Sequence, residues 1–289
     1  MNKDKHKNYF NAVSFDIEEW YHANYDGVSF EGFQNKATSL SDNVDRLINI
    51  CEKHNVKSTC FVLGTVARDK PEIVQKLHNA GHEIASHGFS HKLIYNMTEK
   101  EFLLDLERSK DTLEDIIGEP VKGFRAPSWS VREDVLDWYY CALEQAGFVY
   151  SSSVYPAYTY LYGIPSFPQH PHYPVINGTR ANILEVPVPV FSALNNYFGY
   201  SGGFYLRFLP AWFIKYQLNK ANSKGQSTFI YLHPREIDIR QPRLSLNKLE
   251  SFIHYFGING CEKKLDNILC SISKTCLPIS KGITKIIVD

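Results

Sequence analysis

Ser58-Thr59-Cys60-Phe61-Val62, then Pro71 to Ala80 stopped by Gly81, then Glu83-Ile84-Ala85-Ser86, spells one strand–helix–strand unit. The first run is β-branched and aromatic. The middle one carries apolar side chains at Ile73, Val74 and Leu77 behind a proline suited to a first helical turn, with a glycine at the stop. Outward from it the alternation continues. Ala12 to Asp16 reads as a strand and Ser39 to Val56 as a helix, with Ser41 or Asp42 as its cap. Thr98 with Glu101 forms a capping box that starts a helix running to Ile117. Val121–Arg125 and Phe148–Ser151 read as strands, with a helix over 133–146 between them. Ile183–Val186 and Thr228–Leu232 add two more, an aromatic helix near 208–222 lies between these, and 155–180 lacks periodicity and reads as a long loop. Two helix-like stretches, 246–256 and 262–273, and a β-branched tail finish the chain. About seven βα units point to an α/β fold, a closed or nearly closed barrel of parallel strands.

Composition narrows the function classes. The 289 residues hold 31 Lys+Arg against 31 Asp+Glu, so no broad positive field favours nucleic acid or anionic lipid. No window reaches the roughly eighteen apolar residues of a membrane span. Met1 to Tyr9 is polar and lysine-rich, which reads as cytoplasmic. Six scattered cysteines without C-x-x-C spacing are expected to be reduced thiols.

A βα barrel collects reacting groups at the C-terminal ends of its strands. Asp16 and Glu18 fall at the end of the first strand, His87 after the third, Arg125 at the end of the fourth and His233 at the end of the last. His87 and His91, four apart, would present both imidazoles to one ion from a helical turn, although the spacing also fits two ordinary histidines. Side chains alternate along a strand, so Asp16 and Glu18 share a face at about 6.6 Å, while Glu19 turns away. Glu18 would then be a third ligand and Asp16 a base that takes a proton from water; a solvated loop is the plain alternative. Arg125 would keep Asp16 ionised or form a structural ion pair. His233 would be a general acid or a core histidine, and Trp129 a groove wall or core packing.

Taken together, Phe15-Asp16-Ile17-Glu18, Ser86-His87-Gly88-Phe89-Ser90-His91, Arg125-Ala126-Pro127-Ser128-Trp129 and Leu232-His233 resemble four ordered motifs of the polysaccharide deacetylases, the NodB-homology enzymes of carbohydrate esterase family 4. The stretches 202–210 and 231–238 further resemble an exopolysaccharide-locus branch with an extra C-terminal segment. The resemblance implies a distorted (β/α)7-type TIM-like barrel over 1–235 with a helical extension over 236–289. It also implies a metal-dependent hydrolase that removes acetyl from an N-acetylated sugar. Asp16 would be the base, Arg125 its orienting partner, His233 the acid, and Glu18, His87 and His91 the ligands of a divalent metal, Zn2+ before Co2+, Ni2+ or Fe2+. Trp129 and Tyr231 would line the substrate groove, and Gly202-Gly203 with Arg207 would cradle a phosphate of a carrier lipid or nucleotide.

The sequence departs from the family pattern at two places. Asp16-Ile17-Glu18 replaces two adjacent aspartates, and Ser151 stands where an aspartate usually supports the arginine. A nucleotide-linked or lipid-linked sugar or a cyclic amide is the rival substrate. An impaired carbohydrate-binding homologue is the rival from another class. The sequence leaves the oligomeric state open.

Overall fold

The structure, a computed structural model, describes residues 9–25, 38–159 and 162–286. It opens with β1 (Asn11–Ile17), α1 (Leu40–Lys53), β2 (Thr59–Val62), α2 (Gly64–Asp69), α3 (Pro71–Asn79), β3 (Glu83–Ser86) and α4 (Glu99–Ile117). Then come β4 (Gly123–Phe124), α5 (Leu136–Gln145), β5 (Tyr150–Ser151), a hairpin of β6 (Val175–Ile176) and β7 (Thr179–Arg180), and β8 (Leu184–Glu185). A second hairpin, β9 (Val190–Ala193) and β10 (Asn196–Gly199), precedes α6 (Gly203–Phe208), α7 (Ala211–Ser223) and β11 (Thr228–Leu232). Finally α8 (Lys248–Tyr255), α9 (Ile258–Ile272) and α10 (Ile279–Ile283) close the chain.

Seven strands form one parallel sheet in the order β11-β1-β2-β3-β4-β5-β8. The last strand pairs with the first, Asn11 opposite Thr228 and Phe15 opposite Leu232, and the curled sheet, with β11 and β8 at its edges, forms a distorted (β/α)7 barrel. Strand alternation sorts the core into two clusters. Val13, Phe15, Ile17, Cys60, Val62, Ile230 and Leu232 face the helical layer. Ala12, Phe61, Ala85, Tyr150, Phe229 and Tyr231 face inward. One face of each strand is thus reserved for helix packing, and the other builds the barrel interior.

Differences from the expected elements have local causes. Ser39, not Ser41 or Asp42, stands at the N-cap of α1. The expected aromatic helix is α7, which starts after Pro210, and a separate helix, α6, precedes it. The described residues of 155–180 are a loop apart from the β6–β7 hairpin, and the β-branched tail forms α10 over 279–283. Neither α2 nor the β9–β10 hairpin was expected. All six cysteines are free thiols.

The C-terminal helices seal the barrel from outside. Gly282 of α10 lies against the Phe10 ring so closely that an added Cβ would sit 2.3 Å from it, and Leu277 N–H donates to Asn11 O at 2.8 Å. Within α8, buried His254 fits a neutral ring: Tyr25 hydroxyl meets Nδ1 at 2.9 Å and Gln241 Oε1 meets Nε2 at 2.8 Å. Burial, followed by Arg235 and Arg207, pushes its pKa down to about 2. His82, buried beside Ser58, is likewise pushed down to about 4 by burial and then Lys57.

Both folded pKa values lie below that of an unfolded histidine, so on acidification the unfolded chain takes up protons first. The stability these rings contribute is complete above about pH 6.5 and is lost as the pH falls, toward 4 for His82 and toward 2 for His254. The urea midpoint is expected to fall between pH 7.5 and 4.5, with a slope of at most about 1.4 kcal/mol per pH unit for each such ring. His82→Asn should flatten part of that slope; an unchanged pH profile in the variant would contradict the assignment.

Candidate metal and acid–base centre

Four strand ends, those of β1, β3, β4 and β11, deliver the inward side chains of the centre. On β1, Ala12, Ser14 and Asp16 share the interior face, and Glu18 follows just beyond the strand; Asp16 and Glu18 are both nearly inaccessible. His87 continues the face of Ala85, Arg125 that of Gly123, and His233 that of Phe229 and Tyr231. Period two thus places these groups around one axis.

Arg125 is fully buried. Its Nη1 donates to Asp16 Oδ1 at 2.6 Å and to Ser14 Oγ at 2.9 Å, and its Nε and Nη2 reach the Ser152 carbonyl and hydroxyl, each at 3.2 Å. The guanidinium carbon lies 3.9 Å from the Phe61 ring centre and 4.6 Å from that of Trp129. Every face of the cation is therefore occupied, and Asp16 is its ion-pair partner. The support expected from Ser151 comes instead from Ser152. Ser151 faces the helical layer, where its hydroxyl meets Tyr139 and Ser153. Buried Glu185 accepts from the Ser153 and Val154 N–H groups at 2.7 and 2.9 Å, and Ser153 Oγ accepts from Ala126 N–H at 2.9 Å. This clamp fixes the loop that carries Ser152.

Glu18, His87 and His91 converge, with one ligand atom from each lying within 4.8 Å of the others. Glu18 Oε2 is 2.6 Å from His91 Nε2 and 3.9 Å from His87 Nε2. That oxygen is buried and lacks a hydrogen bond. His87 Nδ1 lies 2.9 Å from the Arg125 carbonyl, which fits an N–H donor there and turns the Nε2 lone pair toward Glu18. His91 Nδ1 meets the Asn24 side-chain amide at 3.4 Å. Burial would raise the Glu18 carboxyl, but the surrounding histidines, His91 foremost, hold it well below the usual carboxylate range. Burial pushes His87 down to about 4, which keeps it a neutral donor. Two imidazoles, that of His87 kept neutral, and an ionised carboxylate converging on one point suit a divalent cation with an open position.

The two histidines do not share a helical turn. They flank a loop in which Gly88 has φ +74° and His91 φ +56°, and Asp105 of α4 holds it by accepting from Phe89 N–H at 2.7 Å and Ser90 N–H at 3.2 Å. His233 Nε2 reaches the same centre, 3.7 Å from Asp16 Oδ2 and 3.8 Å from Glu18 Oε1. Its other nitrogen lies 3.8 Å from Glu236 Oε2. Although burial pulls the His233 pKa down, Glu236 and Glu18 outweigh it and leave it raised.

Tyr231 and Trp129 stand beside the centre with ring centroids 5.1 Å apart, both largely buried. Gly202 packs on Tyr231 so closely that an added Cβ would sit 2.2 Å from its ring. Arg207 is not in a phosphate cradle. Its buried guanidinium donates to the carbonyls of Ile253, at 2.7 Å, and Phe256, and faces Glu236 Oε1 at 3.5 Å. In the tyrosine-rich loop, Tyr155 is buried and Tyr158 exposed, while 160–161 lie outside the described residues. Ser14, Ser152, Glu185 and Glu236 went unread in the sequence, where no spacing marks them; only strand alternation could have found Ser14.

Residues 26–149 match the polysaccharide deacetylase family, and residues 152–275 match a domain of unknown function, DUF3473. The sheet runs across that division. A peptidoglycan-N-acetylglucosamine deacetylase of Bacillus cereus is 31% identical over 118 residues, 38% of this chain and 43% of that protein. The chain thus spans less than half the length of the first curated relatives it matches. Among solved structures, a Mycobacterium smegmatis chain provisionally described as a polysaccharide deacetylase superposes with TM-score 0.65 at 19% identity, covering 100% of this chain and 95% of that one. A CE4 family pseudoenzyme of Bacillus anthracis superposes with TM-score 0.53 at 12% identity, covering 98% and 69%. At these identities the likeness concerns the fold.

Arg125→Met strips the buried Asp16 carboxyl of its guanidinium partner and should cost about 3–5 kcal/mol in urea unfolding. Glu18→Gln should weaken Co2+ binding, followed by visible absorption, by more than the roughly 10–100-fold typical of losing an outer partner. Unchanged affinity would remove Glu18 from the metal site.

Proposed function

We propose that this chain, which carries a polysaccharide deacetylase domain of the NodB/CE4 type, hydrolyses the N-acetyl group of an amino sugar and releases acetate. The observation that supports it most is the division between two adjacent carboxylates: Glu18 belongs to the His87–His91 cluster, whereas Asp16 stands outside it, with Oδ1 on Arg125 and Oδ2 toward His233. A divalent ion held by Glu18, His87 and His91 would polarise the acetyl carbonyl and acidify water, and zinc suits the donor set best.

The remaining steps belong to side chains. Asp16, held in place by its pair with Arg125, accepts a proton from the attacking water as the new carbon–oxygen bond forms. His233, protonated, lies on the side of both carboxylates and gives its proton to the sugar nitrogen as the carbon–nitrogen bond breaks, since an amide nitrogen leaves poorly as an anion. Acetate and a free amine result. Glu236 steadies the charged ring. Trp129 and Tyr231 form an aromatic wall beside the reacting centre. Exopolysaccharide is the substrate suggested by the resemblance of the 202–210 and 231–238 stretches, with nucleotide-linked and lipid-linked sugars as alternatives. Ser151 faces away from Arg125, and the hydroxyl that holds the guanidinium there is that of Ser152.

Acetate release from free, nucleotide-linked and polymeric N-acetyl sugars is the test. Asp16→Asn is expected to lower turnover by about 10²–10⁴-fold with metal still bound, the range of acid–base catalysis. His233→Ala should lower kcat without a matching loss of metal. Full activity in Asp16→Asn, or no acetate from any of the three substrates with the metal-loaded protein, would overturn the reading.

A further inference from the structure

We propose that the outer face of α7, together with the end of α6, docks on an anionic lipid bilayer surface. Net neutrality hides a strong segregation of charge. From Val186 to Arg235 there is no Asp or Glu, whereas 31 acids in 289 residues would put about five in such a window. The same stretch carries Arg207, Lys215, Lys220, Lys224 and Arg235. Arg207 is buried in the C-terminal contact, but Lys220 and Lys224 are exposed.

Aromatic side chains share this surface. Trp212 is 69% exposed, Tyr216 55% and Phe208 50%. Trp212, Tyr216 and Lys220 succeed one another at i, i+4 and i+8, so α7 presents one outward stripe that begins aromatic and ends cationic. Ile214, Gln217 and Leu218 take the opposite, buried face. Phe208 lies only four residues before Trp212, and its ring stacks on Phe204 at 5.3 Å and leans on Phe256 at 5.6 Å, which widens the apolar surface.

Trp and Tyr at headgroup depth, with lysines reaching the phosphates, is the arrangement by which a helix lies in a membrane interface. Each lysine near an anionic surface contributes about fivefold in affinity, and the attraction is screened by salt. A second copy of this chain would bring the same cations face to face, which disfavours self-association through this face. Among the described residues no helix is long and apolar enough to cross a membrane, so contact is at the surface.

The test is co-sedimentation of the full chain with phosphatidylcholine vesicles, with and without phosphatidylglycerol, alongside tryptophan emission. Expected are pelleting with the anionic vesicles alone, weakening as salt is raised, and a blue shift that disappears in Trp212→Ser. Phe208→Ser with Trp212→Ser should weaken binding at least about tenfold, and Lys220→Gln with Lys224→Gln by about 25-fold. Circular dichroism of the variants checks that they fold. No pelleting with anionic vesicles would overturn the proposal, as would equal binding to both vesicles, an insoluble polysaccharide that alone produces the blue shift, or concentration-dependent dimerisation lost in Trp212→Ser. The readout needs no catalysis, so it stands or falls apart from deacetylase activity.

Discussion

A guanidinium without any contact to water sits at the centre of this barrel, and its stability depends on Asp16. Burying both ions would be costly if either stood alone, so the pair, Ser14, Ser152 and the rings of Phe61 and Trp129 form a mutually dependent set. The strands fix the geometry around it. Asp16 cannot turn away from the cation without unpairing a buried charge, which leaves its second oxygen facing His233 and the space beside Glu18. One ion pair therefore both holds the interior together and determines which carboxylate is free to exchange protons.

What could be read in the sequence follows from periodicity. Strand alternation placed Asp16 and Glu18 on one side and sent Arg125 and His233 to the same axis, and β11 and the capped α4 were legible to within a residue. Geometry that depends on positive φ was not legible. His87 and His91 have helical spacing, yet Gly88 and His91 in the left-handed region make them a loop. Ser151 and Ser152 are indistinguishable by composition, and which of them faces Arg125 follows from register against β4, where Phe124 pairs with Ser151. Arg207 looked like an anion-binding residue beside two glycines, but the C-terminal carbonyls that capture it lie about fifty residues further on.

Glu185 and Glu236 show how buried acids are used away from the chemistry. Glu185 collects two backbone N–H groups and the Tyr140 hydroxyl, so both oxygens of a carboxyl buried between sheet and helix have donors. Glu236 lies between His233 and two arginines, which bring its pKa down to about 2 despite burial. Through Arg207 it also ties the last barrel strand to α8, so the segment after residue 235 is structurally continuous with the centre.

The adjacency of β1 and β11 has a kinetic consequence. Their partners are separated by 217 positions in the register, among the longest loops this chain could close, and loop closure must precede any energetic return from the contact. Asp16 and Glu18 leave the ribosome early but meet His233 only after some two hundred further residues have been made. A nascent chain therefore carries both carboxylates without His233 through most of its synthesis, and the centre is complete only when β11 has paired with β1.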